Sequence, residues 1–288
     1  MTTSDRQPRP GPSRAGCFAS SINFGSLATR LILGLLVGLF ATPVAAATPA
    51  GKPVSHATFD ALLRDFVRRS PDGVNRVDFR GLKARGEVRL KSYVAMLEGA
   101  RPSNMPPQER KAYWINLYNA KTLEVVLSRY PVASIRDISL PGPDGKPADG
   151  PWSAQLLKVE GRDLSLDDIE KKFLVPEFKD VRLHYALNCL SIGCPNLLPE
   201  AFVASRLDRQ LDGAAREFVN HPRGIEIKPG SVKASSIYEW YESEFGGLKG
   251  VIAHMTRHAR PELRRMLAKV SKIDAYDYDW KLSDAATK

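Results

Sequence analysis

RLHYALNCLSIGCP, residues 182–195, is the stretch on which the reading of this chain turns. It holds one of the five histidines and two of the three cysteines in a run that is otherwise largely apolar or small. From Val181 to Cys189 the residues alternate. Val181, Leu183, Tyr185, Leu187 and Cys189 fall on one side, and Arg182, His184, Ala186 and Asn188 on the other. Period two predicts a strand that brings His184 and Asn188 to one face. The imidazole there serves as a general base or ligand contact, or as a core histidine satisfied by its neighbours.

Working outward, WINLYNA (residues 114–120) forms a second polar cluster. It lies in a predicted helix that starts near Pro106-Pro107 and ends at about Arg129, before Pro131. Helical spacing puts Asn116, Asn119, Leu123, Val126 and Tyr130 on a core-facing stripe, and Lys121, Glu124 and Ser128 on a polar one. A buried amide must find hydrogen-bond partners or cost about 1–3 kcal/mol. Asn116 and Asn119 therefore either face a ligand or tie neighbouring backbone to the helix.

Other elements follow from spacing and punctuation. Helices are expected over His56–Arg69, Leu82–Leu97, Pro199–Val219, Ile237–Phe245, Leu248–Arg257 and Arg260–Val270, with a short one capped by Ser165 and Asp168. Asp167, Asp168 and Glu170 suit that helix start, where acids complement the dipole. Strands are expected near residues 74–79, 155–159 and 276–280, with a hairpin around Pro229-Gly230. The predicted fold is α+β: a helix-rich single domain over residues 56–288 around a small, mostly antiparallel sheet, the asparagine helix packed on it.

The N-terminal 47 residues read as an export signal. Arg6, Arg9, Arg14 and Arg30 are basic, Leu31–Phe40 is apolar, and Val44-Ala45-Ala46-Ala47 offers small residues for cleavage. The apolar run is short for a membrane span. Cys17 precedes it, so no lipidation site follows it, and no Arg-Arg pair stands before it. Residues 48–55 form a Pro/Ala/Gly linker. Removing the leader takes away four Arg and one Asp and lowers the net charge from +10 to +7. A periplasmic or secreted location follows, with no transmembrane helix after cleavage. An exported chain without a basic-aromatic array is not expected to bind nucleic acid.

Export also bears on Cys189 and Cys194, which an oxidising compartment can join around Leu190–Gly193. They do not form a CxxC motif and lack the further ligands of a structural zinc site. His254 and His258 stand at i, i+4 but no HExxH pattern accompanies them, so no metal and no cofactor is expected.

Taken in order, YWINLYNA (113–120), Ser134-Ile135, LSLDDIE (164–170), RLHYALNC (182–189), GCP (193–195), SIYEW (236–240) and YDW (278–280) resemble the family catalogued as domain of unknown function 547. The resemblance spans roughly residues 105–280. It departs at Lys171, where members often carry His; a catalytic role of that histidine would be missing here. The resemblance implies a layout similar to papain-like and transglutaminase-like cysteine hydrolases, with no activity attached. Two functional classes follow. One is an envelope binding or accessory module, with a Cys189–Cys194 bridge beside a pocket lined by Trp114, Asn116, Asn119, His184 and Asn188. The other is a Cys/His hydrolase or acyl transferase on envelope peptides or amides. There Cys189 or Cys194 is the nucleophile, His184 the base, and Asn119 or Asn116 the orienting amide.

Overall fold

One helix organises the molecule. In the computed structural model, which describes residues 54–286, α4 spans Pro107–Arg129, and every residue from Lys111 to Leu127 except Glu124 is buried. Pro107 sits at its first position, where a missing N–H costs nothing. The helix ends before the Tyr130–Pro131 peptide. A surface helix buries only a stripe; this one is enclosed all round. The expected apolar stripe is present, but the polar one is narrower than expected. Lys121 is buried, its ammonium 2.8 Å from Glu124.

Around α4 the elements are short. α1 (Ala57–Phe66) buries Phe59, Leu62, Leu63 and Phe66, the helical spacing read from the sequence. It runs into β1 (Val67–Arg69), which pairs antiparallel with β2 (Asn75–Val77). The predicted Leu82–Leu97 helix is two helices, α2 (Phe79–Arg85) and α3 (Glu87–Glu98), parted at Gly86. A side chain at Gly86 would meet Leu82, Phe66 and Leu62, so glycine allows the close approach. β3 (Leu157–Val159) and β4 (Arg162–Leu164) form a hairpin whose turn residues Glu160 and Gly161 both have positive φ. The Ser165–Asp168 capping box then opens α5 (Leu166–Asp168), a π-helical turn over Ile169–Leu174, and α6 (Val175–Phe178).

The remaining elements build a second hydrophobic cluster around Tyr185, Phe218, Tyr238 and Met255. They are α7 (Leu207–Val219), β5 (Ile225–Lys228), β6 (Ser231–Ser235), α8 (Ile237–Trp240), α9 (Glu242–Phe245), α10 (Gly247–His258), α11 (Pro261–Leu267) and β7 (Ala275–Asp277). The helix expected from Pro199 starts at Leu207, after a 3-10 turn over Ala204–Arg206. β5 and β6 pair antiparallel, Ile225 opposite Ala234, and β7 lies parallel to β6.

The fold is thus α+β and helix-rich, with three small sheets among the described residues where one was expected. The described residues form one compact unit. No helix among the described residues is long and apolar enough to cross a membrane. The export signal over residues 1–47 and most of the 48–55 linker lie outside the described residues.

The chain after β7 fastens separate parts together. Ile192 and Gly193 donate their N–H groups to Lys281 and Asp279, and Ser283 donates to Leu190, each at 2.8 Å. Leu282 donates to Ala133, and Ala285 to Val77.

Candidate functional site

The alternation over Val181–Cys189 does not make a strand. Val181–Tyr185 is a 3-10 turn, followed by irregular chain. From Leu183 to Leu190 every residue is buried, so apolar side chains are needed on all sides and period two carries no sheet information. What holds this chain is α4. Asn119 donates from Nδ2 to the Ala186 carbonyl at 2.8 Å and accepts the Asn188 N–H at 2.9 Å. Asn116 does the same for Phe202, donating to its carbonyl at 2.8 Å and accepting its N–H at 3.0 Å. Asn188 donates to Pro195 and accepts from Leu190. The asparagine helix and the histidine segment do meet, with all three amides serving backbone groups that have no ladder partner. Trp114, 1% exposed, stacks on Phe173 at 4.5 Å between ring centres.

His184 is 4% exposed. Its Nε2 is 2.9 Å from Glu244 and its Nδ1 3.8 Å from Glu170, and its ring stacks on Tyr241 at 3.7 Å. The Tyr241 hydroxyl donates to Glu170 at 2.6 Å. Glu170 is therefore a buried acceptor on the π-helical turn, an insertion that often marks functional positions, and not an exposed complement to a helix start. Glu244 is the exposed member of this group, and Tyr241 is half-buried.

Cys189 and Cys194 are free thiols, Sγ to Sγ 2.7 Å, where a bond had been expected. The Tyr278 hydroxyl lies 2.9 Å from Cys189 Sγ, Ser191 Oγ lies 3.4 Å away, and the Cys189 N–H donates to Cys194 Sγ. Burial pushes the Cys189 thiol up, but hydrogen bonds from Cys194, Ser191 and Tyr278 more than offset this and bring it to about 6. Cys194 goes the other way, raised by burial and by its partner. Only one of the two ionises readily. Arg223 braces the loop by donating to the Ile192 carbonyl and to Asn196.

The thiols and the imidazole thus have different partners: carboxylates face the ring nitrogens, while each thiol faces the other and Tyr278. A papain-like layout wants a thiol on a helix and an imidazole on a strand; here the thiols lie in a loop and the imidazole on a 3-10 turn. Trp114, Asn116, Asn119, His184 and Asn188 are all buried, so they face the interior rather than the mouth of a pocket.

An open cleft of about 360 Å³ lies at the start of the His184 turn, between it, α7 and the end of α10. Lys179, Arg182, Asp212, His254, Arg257 and His258 are among its walls. The histidine pair was visible as i, i+4 spacing, and its rings do approach, 4.7 Å between centres. No group of three metal-ligating side chains suited to an ion occurs among the described residues. Glu170, Tyr241, Glu244 and Tyr278 went unnoticed as site residues. For Glu170 the usable signal was the Ile-Glu pair within the family resemblance.

Fold and site together define a helix-rich α+β domain in which one enclosed helix clamps a cysteine- and histidine-bearing segment. The family described as "Protein of unknown function, DUF547" matches residues 102–219 of the chain. The matched segment contains both α4 and the clamped turn, whereas Tyr241, Glu244 and Tyr278 come from beyond it. No curated protein and no solved structure matches the chain.

Proposed function

We propose that this protein is a non-catalytic binding or accessory module of the cell envelope. Residues 1–47 export it to the periplasm or beyond, where Cys189 and Cys194 close into a disulfide. The observation that carries the reading is the pairing of the reactive groups. The amides of Asn116, Asn119 and Asn188 are spent on backbone. The His184 nitrogens face Glu244 and Glu170, leaving no imidazole to activate a thiol. A disulfide would fasten the loop that carries the C-terminal segment, without adding chemistry.

The lowered Cys189 thiol favours the second reading, a Cys/His hydrolase or acyl transferase on envelope peptides or amides. One experiment separates the two. Thiols are counted on the denatured protein, isolated without reductant, and envelope peptides are offered to wild type and to Cys189→Ser. The binding module predicts no free thiol at positions 189 and 194, and peptide-induced changes in melting that survive the substitution. Peptide turnover that disappears in a folded Cys189→Ser protein overturns it.

A further inference from the structure

The cleft at the end of α10 is built unlike the buried groups beside it. Each of its acids has a cationic partner, although Arg182 and Lys111 together face three carboxylates. Arg182 reaches Asp180, Asp208 and Asp212, each at 2.8 Å, and Lys111 holds Asp180 from behind at 2.5 Å. Lys179 and Arg257 are exposed and form no ion pair among the described residues, so cations outnumber acids here by one. Two imidazoles, His254 and His258, line the same cleft. Burial lowers His254 to about 4 and lowers His258 as well, so both are neutral at pH 7 and each can offer one N–H without charge. His254 Nε2 is buried with no hydrogen-bond partner. The carbonyl end of α10 would repel an anion, but three of its last four carbonyls have donors. Met255 accepts from Ala259, Thr256 from Arg264, and His258 from Asn220.

We infer that this cleft binds the phosphate group of a small molecule, gripped by Lys179 and Arg257 and by N–H groups of His254 and His258. The assignment rests on the reading of the protein as a binding module and names its ligand class. Two cations and two further donors exceed what a carboxylate's pair of oxygens needs and suit a dianion with three. The volume is that of a small-molecule site. The charged groups that face the histidines are Asp180 and Arg182 from the turn, Asp212 and Arg216 from α7, and Arg257 from α10. A bound phosphate adds negative charge to this set and raises both imidazoles.

The test titrates inorganic phosphate into the purified protein at fixed ionic strength and follows the imidazole NMR signals. The His254 and His258 signals should shift saturably, and the His254 titration midpoint should rise. Arg257→Ala and Lys179→Gln, both at exposed positions, should each weaken binding about tenfold. Phosphatidylglycerol vesicles form a second arm. Sedimentation that free phosphate reverses makes the group a lipid headgroup. Phosphate saturation without sedimentation makes it a soluble phosphate compound; either supports the site. Shifts that stay linear in phosphate, or that are unchanged in both variants, overturn it. That failure leaves the binding module standing, since the latter is judged by thiol counts, peptide-induced melting and turnover, none of which involves this cleft.

Discussion

Asn119→Ala is the substitution that most directly tests whether the asparagine helix is a clamp. The side chain is 2% exposed and serves two backbone groups at once, the Ala186 carbonyl and the Asn188 N–H. Truncation strands both in the interior, at about 1–3 kcal/mol each. The summed loss, about 2–6 kcal/mol, is a large share of the roughly 5–15 kcal/mol by which domains are stable. Urea unfolding followed by tryptophan fluorescence should show the midpoint falling with the slope unchanged. Asn119→Asp sharpens the test. It keeps an acceptor for Asn188 but turns a charged oxygen toward the Ala186 carbonyl. At pH 7 it should be at least as damaging as alanine. Its buried carboxyl will have a raised pKa, so the folded state holds the proton more tightly than the unfolded one. The variant should then regain stability, relative to wild type, as pH falls and the acid can donate. A loss below about 1 kcal/mol for alanine, or an aspartate tolerated at pH 7, would show that these hydrogen bonds do not hold the turn.

Two further outcomes follow from the structure. Stability should fall as pH drops from about 6.5 to 4, because burial holds His56 and His254 at about 4 and lowers His258. Their folded values lie below the unfolded one, so the unfolded chain takes up protons first; His56 contributes on the order of 3 kcal/mol and the more solvated cleft histidines less. Urea midpoints at pH 7.5, 5.5 and 4 check this, and equal stability at all three contradicts it. Gly193→Ala places a Cβ 2.8 Å from the Asp279 nitrogen and 2.9 Å from the Tyr278 ring. It should cost about 1–3 kcal/mol and speed amide exchange at residues 279–283; unchanged exchange there would refute the contact.

Much of the fold could be read from local signals, and the failures share a cause. Pro107 and Pro131 bracket α4, Ser165 and Asp168 cap α5, and Pro229-Gly230 turns the β5–β6 hairpin; each is decided within a few residues of chain. The 181–189 segment is decided by Asn119, whose bond to Ala186 spans 67 positions. No local pattern reveals such a partner, and an all-round buried turn imitates a strand. The core-facing asparagines were legible because amides on an apolar stripe must be satisfied, but whether by ligand or by backbone was not. Glu170 was misassigned because its charge suited the helix start, although it shares the buried stripe of Leu166, Ile169 and Leu174 at ordinary helical spacing. The cleft combines residues from the 3-10 turn, α7 and α10, a juxtaposition that only tertiary structure supplies.

The run from Ala275 to Ala285 works like the lace of a shoe. It passes β6, the thiol loop, Ala133 and β2 in turn, and each eyelet belongs to a different stretch of the polypeptide. During synthesis these parts are made long before the lace exists, so they can collapse locally but cannot be drawn together. The domain therefore closes late, and a chain cut before Ala275 should stay open to protease at all four eyelets, not only at the cut end.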